Sequence, residues 1–124
     1  MATEDSSTHE WPARIADAQA GEWTEHPRFA GVLLKALLTS ADNALASANV
    51  VQVPPGREIG GHIHAKQVET IYVLAGRGFF WLGQAETPVR AGQIVAVPMG
   101  VEHGLRNPGA EPVELLTFFT PPLT

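Results

Sequence analysis

Two histidines separated by a single residue, His62 and His64, are the side chains of this sequence best suited to chemistry. Residues two apart on a β-strand point to the same face, so a strand here would aim both imidazoles at one point. Glu69 stands where a following strand would begin, and His103 comes after a turn that contains proline and glycine. Three neutral imidazoles and one carboxylate suit a divalent first-row transition ion. The pattern therefore predicts a metal site.

Other familiar routes to catalysis are missing from the sequence. There is no cysteine, so thiolate ligands, disulfides and cysteine nucleophiles are excluded together. No paired carboxylates, Ser-His-Asp set or phosphate-binding loop is recognisable. Four arginines stand beside turns without forming a recognisable anion clamp: Arg57, Arg77, Arg90 and Arg106. Catalysis is therefore expected to depend on the metal, with Tyr72 as the candidate for a general base.

The composition limits the partners and the location. The chain has 124 residues, 44% of them hydrophobic and 17% charged, which fits one globular domain. The net charge is -5 and the basic residues do not cluster, so neither nucleic acid nor a membrane is expected as a partner. The N-terminal residues are polar and acidic, so no signal peptide is predicted and a cytoplasmic location is expected.

Short β-rich runs separated by glycine and proline fill the chain beyond Phe29. Many short strands with frequent turns are typical of an antiparallel sandwich or barrel, so the fold class is predicted to be all-β. The predicted strands cover residues 31–38, 48–53, 61–64, 70–75, 78–82, 94–98, 103–107 and 113–120. Residues 10–19 are predicted to form one short helix capped by Thr8. We divide the chain into an N-terminal extension, 1–28, which is expected to be partly disordered or to contain this short helix, and a β-barrel domain, 29–124.

The candidate ligands belong to two blocks of regularly spaced residues. The first block is Gly56, His62, His64, Glu69 and Gly76, and the second is Gly92, Pro98, Gly100, His103 and Asn107. These two strings resemble the two signature motifs of the cupin superfamily, and every fixed position of both motifs is matched. The resemblance covers residues 56–107. Within the superfamily, the sequence is most similar to the small single-domain bacterial cupins. The resemblance is far more specific than a lone pair of histidines.

The resemblance implies a double-stranded β-helix, a small open barrel related to the jelly roll. It also implies that His62, His64, Glu69 and His103 bind one divalent metal ion, which could be iron, manganese, nickel, copper or zinc. An octahedral ion would then keep two positions for water or substrate. A homodimer is expected from the resemblance. The other motif residues are expected to be structural: glycines at turns that need a positive φ, Pro98 and Gly100 in the turn before His103, and Asn107 as a partner for backbone groups.

The remaining site candidates depend on which way each strand faces. Gln67, Met99, Trp81 and Phe119 are candidates for the pocket, which is expected to be mainly apolar, although such aromatic residues are more often plain core. Alternation from Glu69 puts Ile71 and Val73 inward and Tyr72 outward, unless a bulge reverses it. His9 and His26 lie outside both motifs and are expected to be solvated.

Three functions are compatible with these residues. The leading one is a metal-dependent enzyme that acts on a small organic substrate with oxygenase-type chemistry. The second is a non-redox isomerase, lyase or decarboxylase that uses the same site and needs a nearby base. The third is a non-catalytic cupin that binds or senses a small ligand, because a fold alone does not determine an activity.

Overall fold

The computed structural model describes residues 13–124, which form ten strands and no helix. The strands are β1 (Thr24–Glu25), β2 (Leu33–Leu38), β3 (Ser47–Val53), β4 (Glu58–His62), β5 (Val68–Ala75), β6 (Arg77–Leu82), β7 (Ala85–Arg90), β8 (Ile94–Val97), β9 (His103–Arg106) and β10 (Val113–Thr120). They make a six-stranded sheet, in the order β1-β2-β3-β10-β5-β8, and a four-stranded sheet, in the order β4-β9-β6-β7. All the pairings are antiparallel. The all-β, double-stranded β-helix prediction is confirmed.

The centre of the larger sheet is built from strands with the most regular apolar alternation. β10 alternates buried and half-buried residues from Val113 to Phe119, and β5 alternates in the same way. Their register sets Leu115 opposite Val73 and Phe119 opposite Glu69. Branched and aromatic side chains suit such strands because they pack well on a pleated, half-buried surface. Glu69 is thereby carried into the barrel on the same face as the core.

The core lies between the two sheets. Its buried residues are Val32, Val51, Val53, Ile71, Val73, Phe80, Val89, Val97, Leu105, Val113 and Leu115. Asn107 is buried at the end of β9, where its side-chain amide donates to the carbonyls of Val53 and Glu111 at 2.9 and 2.8 Å. Its side-chain oxygen accepts from the Gly109 amide. This side chain therefore joins the end of β3 to the loop between β9 and β10.

The motif glycines lie at turns with the backbone geometry that glycine favours. Gly56, Gly76, Gly92 and Gly100 all have a positive φ, between 77° and 92°. At Gly76 a second constraint is present, because an added Cβ would collide with the carbonyl oxygen of Pro112. Gly92 has open space at the same position. Only the first of these two turns therefore also needs glycine for close packing.

Three predictions about the elements need correction or qualification. Of the helix predicted over 10–19, residues 10–12 and its Thr8 cap lie outside the described residues, and residues 13–19 are not helical. Ile15 is fully exposed, so such a short helix would have no apolar contact to stabilise it. The edge strands β1 and β7 were not predicted. Pro88 interrupts the pattern of β7, and proline is tolerated there because the strand has a free edge.

The domain division at residue 28 stays a prediction, although the structure adds Thr24–Glu25 to the larger sheet by pairing it with β2. Within residues 13–124, nothing has the helical length and apolarity that crossing a bilayer would require.

Candidate metal centre

The four predicted ligands come together from four neighbouring segments of the barrel. His62 is the last residue of β4 and His103 the first of β9, and the two are directly paired across the smaller sheet. Glu69 is the second residue of β5 in the larger sheet, and His64 lies in the loop between β4 and β5. Each residue offers one ligand atom, and these four atoms all lie within 4.8 Å of one another. We call these four residues the His/Glu cluster.

The predicted strand over 61–64 is wrong at its end, because β4 stops at His62. His64 still reaches the cluster, with its ring centroid 4.8 Å from that of His62 and at nearly a right angle to it. The loop is fixed near this point, because the carbonyl of His64 accepts a hydrogen bond from the Gly100 amide at 3.0 Å. The turn that carries Pro98 and Gly100 therefore supports the His64 loop as well as leading into His103.

Backbone carbonyls orient two of the three imidazoles. Nδ1 of His62 donates to the carbonyl of Gly60 at 2.8 Å, and Nδ1 of His103 donates to the carbonyl of Val101 at 2.9 Å. A carbonyl only accepts, so Nδ1 of each ring carries a proton. In neutral His62 the lone pair is therefore on Nε2, whereas Nε2 of His103 faces the Glu69 carboxylate at 2.8 Å and there shares a second proton, which a metal ion would replace. Such outer hydrogen bonds fix the tautomer and direction of metal-binding histidines. Both rings are thus prepared to coordinate through Nε2.

The inward-facing nitrogens surround a carboxylate that does not satisfy them all. Glu69 Oε1 lies 2.8 Å from Nε2 of His103 and 3.6 Å from Nε2 of His64. Nε2 of His64 is buried and has no hydrogen-bond partner within residues 13–124. A buried polar atom without a partner costs about 1–3 kcal/mol. A cation bound among these atoms would pair the His64 nitrogen and offset the charge of Glu69, so the four residues fit a metal ion.

The protonation preferences of the three histidines differ because their neighbours differ. Burial lowers the pKa of His62 and of His64, and the nearby histidines add to that effect. Burial also acts to lower the pKa of His103, but its hydrogen bonds to Glu69 and the Val101 carbonyl outweigh it and raise that pKa. Neutral imidazole is the form that binds metal. His62 and His64 therefore favour the metal-binding form, and His103 is the residue at which a metal would compete with a proton.

The cluster forms the floor of a cavity of about 740 Å³ between the two sheets. Phe119 packs edge-on against His64 with centroids 4.9 Å apart, and Phe80 stacks on His103 at 6.2 Å. Most of the other lining side chains are apolar, including Ile59, Ile71 and Leu115. The cavity is within the range of about 300–1,000 Å³ that is usual for small-molecule sites. The apolar part of a bound small molecule would fit in this cavity, next to the four residues that could bind a metal.

The structure separates the predicted pocket residues into two groups. Gln67 and Phe119 line the cavity, whereas Trp81 and Met99 do not. On β6 the alternation puts Phe80 inside, so Trp81 packs over Gly104 on the other face of the sheet. Met99 is 53% exposed in its turn. The prediction that these two residues line the pocket is therefore wrong, and Phe80 takes the inward position.

Tyr72 is on the outer face of β5, 38% exposed, between the inward-facing Ile71 and Val73. The predicted alternation is correct here, and it excludes Tyr72 from the cavity lining. Its proposed role as a base near the metal is therefore wrong. No tyrosine, and no acidic side chain other than Glu69, lines the cavity within the part of the chain that the structure describes.

Sequence reasoning missed the contribution of the segment before β2. His26, Arg28 and Phe29 all line the cavity. The Phe29 ring lies between two histidines, 4.7 Å from His26 and 5.3 Å from His62. His26 is half-buried rather than solvated as expected. No local signal identifies this segment, because its position depends on the pairing of β1 with β2.

Three comparisons with known proteins agree with this architecture. The oxalate-binding protein of Thermotoga maritima is 28% identical over 105 residues, which cover 85% of this chain and 83% of that protein. The polyketide synthase CurC of Streptomyces cyaneus is 30% identical over 99 residues, covering 78% of this chain but only 64% of that protein. A solved structure of a predicted oxalate decarboxylase, also from T. maritima, matches 86% of this chain and 98% of its own length with a TM-score of 0.77 at 23% identity, which shows a common fold.

The family-level match is more direct. Residues 49–119 match the family Cupin_2, described as a cupin domain. This range is more than half of the chain and contains the whole His/Glu cluster. The chain therefore belongs to the cupin family.

Proposed function

We propose that this cupin is a metal-dependent enzyme that acts on a small, mainly apolar organic molecule, with oxygenase-type chemistry as the leading class. The observation that carries the proposal is the position of the His/Glu cluster at the floor of the apolar cavity. The buried, unpartnered Nε2 of His64 is a feature that a folded barrel does not need for stability. A metal-binding role explains why it is kept.

His62, His64, Glu69 and His103 would hold one divalent ion, and nitrogen and oxygen donors suit iron, manganese, nickel, copper or zinc. Such an ion supplies Lewis-acid polarisation of a bound oxygen atom and, if it is redox-active, electron transfer. The protein residues supply the surroundings. Phe80 and Phe119 pack against the imidazoles and keep water from their sides. The carbonyls of Gly60 and Val101 fix the orientation of the His62 and His103 rings by hydrogen bonding to Nδ1.

Oxygen consumption tests the leading class. The protein loaded with Fe(II) under nitrogen is mixed with candidate catechols or diketones in air-saturated buffer, and dissolved oxygen is followed with an electrode. Substrate-dependent uptake that disappears in His62→Ala/His103→Ala supports oxygenase chemistry. Substrate conversion at the same rate without oxygen contradicts it.

A second candidate is a non-redox reaction such as decarboxylation. It is favoured by the name of the solved T. maritima neighbour, a predicted oxalate decarboxylase, and by the oxalate-binding relative. Against it, no tyrosine lines the cavity within residues 13–124, and its one acidic side chain belongs to the cluster. Carbon dioxide release under nitrogen would favour this class. Tight binding without turnover on any metal would favour a ligand-binding cupin instead.

The assembly and location expected from the sequence also remain proposals. A homodimer is supported by apolar side chains on the outer face of the larger sheet, where Tyr72, Leu74 and Ile94 are 38%, 39% and 67% exposed. Tyr72 and Ile94 are paired across β5 and β8, so the patch is continuous. Light scattering of the purified chain tests the dimer. We keep the cytoplasm as the expected location, with no nucleic acid or membrane partner.

A further inference from the structure

Three residues with nitrogen-bearing side chains line the cavity and do not belong to the His/Glu cluster. His26 and Arg28 line the cavity from the segment between β1 and β2, and Lys66 lines it from the loop between β4 and β5. Arg28 and Lys66 are also exposed to solvent, so they stand where the cavity opens. We call His26, Arg28 and Lys66 the basic rim.

The charge of the basic rim is opposite to that of the protein as a whole. The chain carries a net charge of -5, yet Glu69 is the one acidic side chain among the described residues that line the cavity. Glu69 belongs to the His/Glu cluster at the floor. A cleft with apolar walls and charges of one sign at its opening concentrates ligands of the opposite charge. The opening therefore favours an anion.

The tautomer of His26 is set by its own backbone segment. The amide of Arg28 donates to Nδ1 of His26 at 3.0 Å, so Nδ1 carries no proton and Nε2 does. The amide of His26 donates to the carbonyl of Val32 at 2.7 Å, and the amide of Val32 donates to the carbonyl of Phe29 at 3.1 Å. These hydrogen bonds close a turn around the ring. His26 is thus a preset N–H donor at the edge of the cavity.

The same turn holds the guanidinium of Arg28 near the opening. Its Cζ lies 5.4 Å from the centroid of the Phe29 ring, a cation–π distance. The Phe29 ring is in turn packed between His26 and His62. Arg28 also acts electrostatically on the His/Glu cluster, because its positive charge contributes to lowering the pKa values of His62 and His64. A guanidinium and an imidazole N–H on one short turn can both contact the same oxyanion.

We propose that the basic rim binds the anionic end of an organic ligand, a carboxylate or a phenolate, whose apolar body occupies the cavity. His26 donates through Nε2–H, Arg28 supplies the main charge, and Lys66 adds to it from the loop between β4 and β5. The proposal rests on the proposed function for the location of the ligand. It concerns a contact made by residues other than the four members of the His/Glu cluster, so it makes a separate prediction about specificity.

The test uses two probes with one apolar body, 2-naphthoate and 2-naphthalenemethanol. Their dissociation constants are measured by calorimetry for the full wild-type chain and for His62→Ala/His103→Ala, in which the carboxylate has no metal to bind. We expect the naphthoate to bind about tenfold more tightly than the alcohol to both proteins, as one charged hydrogen bond provides. Arg28→Gln should remove this preference and leave the affinity for the alcohol unchanged.

Two further variants assign the effect to the rim. His26→Phe keeps a ring against Phe29 but has no N–H, and it should weaken naphthoate binding about threefold or more. Arg90→Gln removes the same charge from a residue that does not line this cavity, and it should change nothing. Near-ultraviolet circular dichroism confirms that each variant is folded.

Several results would overturn the proposal. These are equal affinities for the two probes in the wild type, no saturable naphthoate binding, or equal effects of Arg28→Gln and Arg90→Gln. A preference that is present in the wild type but lost in His62→Ala/His103→Ala would place the carboxylate at the cluster instead, and a wild-type affinity in His26→Phe would remove that residue from the site. A wild-type protein that binds no metal but keeps the naphthoate preference would contradict the proposed function and leave the basic rim standing.

Discussion

The two ends of this barrel are built from the same strands but treat their buried polar groups in opposite ways. At the closed end, Asn107 uses both its amide group and its oxygen in hydrogen bonds to three backbone groups. At the open end, His64 has a buried nitrogen without a partner, and one carboxylate faces two imidazoles. The closed end is therefore organised for stability, and the open end holds a buried nitrogen to which a bound ion would supply a partner.

Both signature blocks contain residues of each end. Each block contributes ligands to the open end and structural residues to the closed end: Gly56 and Gly76 from the first, Asn107 from the second. The amide of Gly56 donates to the carbonyl of Asn107 at 2.7 Å, so the two blocks are directly joined there. The closed end thus fixes the distance between the strands that carry the ligands.

The largest expected effect is at the closed end. Gly76→Ala should destabilise the protein by about 3 kcal/mol or more, because the new Cβ meets the Pro112 carbonyl in addition to the strain of a positive φ. Gly92→Ala introduces the strain of a positive φ but no steric collision, so it should lower the free energy of unfolding by only about 1–2 kcal/mol. Urea unfolding of both variants measures the difference. Equal losses would show that close packing at Gly76 contributes nothing.

The next largest effect is the stabilisation of the protein by metal binding at the open end. Adding metal at about 100 times its dissociation constant should stabilise the wild type by about 2.7 kcal/mol, because the ion binds the folded cluster. Thermal unfolding with and without Zn(II) measures this increase. His64→Leu should show little of it. An increase of the same size in His64→Leu would mean that the ion binds elsewhere.

A smaller effect of opposite sign is expected for the same variant without metal. In chelator-treated protein, His64→Leu should be more stable than the wild type by about 1 kcal/mol, because it removes the buried nitrogen that has no partner. Urea unfolding in the presence of a chelator makes the comparison, with Asn107→Leu as the matched change at the closed end. Asn107→Leu should instead be destabilised. A loss of stability in both variants would contradict the contrast between the two ends.

The smallest effect is expected on the surface. Glu86 and Arg106 form an ion pair with N–O distances of 2.9 and 3.0 Å, and the side chains are both 41% exposed. The hydrogen bond to Arg106 lowers the pKa of Glu86, but exposed pairs contribute little because water and salt screen them. Glu86→Gln should leave the thermal midpoint unchanged within error. A clear drop would show that this edge supports the barrel.

The parts of this structure that follow from sequence are those fixed by local spacing. The turns with positive φ and the alternation of Ile71, Tyr72 and Val73 follow from short-range rules. The meeting of Glu69 and His103 with the two histidines was instead implied by the resemblance to the cupin motifs, because these residues are distant in sequence. The inward face of β6 does not follow from such rules, because three consecutive aromatic residues, Phe79, Phe80 and Trp81, show no alternation of apolar and polar side chains, so the sequence leaves open which of them faces the cavity. His26 could not be found either, since its place at the opening depends on long-range pairing between strands.

The most direct test of the account is the metal content of the purified protein. Inductively coupled plasma mass spectrometry is applied to the wild type and to His62→Ala/His103→Ala after reloading and desalting, with circular dichroism to confirm folding. We expect about one iron, manganese, nickel, copper or zinc per wild-type chain, as one site requires, and close to none in the variant. A variant that keeps stoichiometric metal, or a wild type that cannot be loaded with any of these ions, would contradict the metal centre.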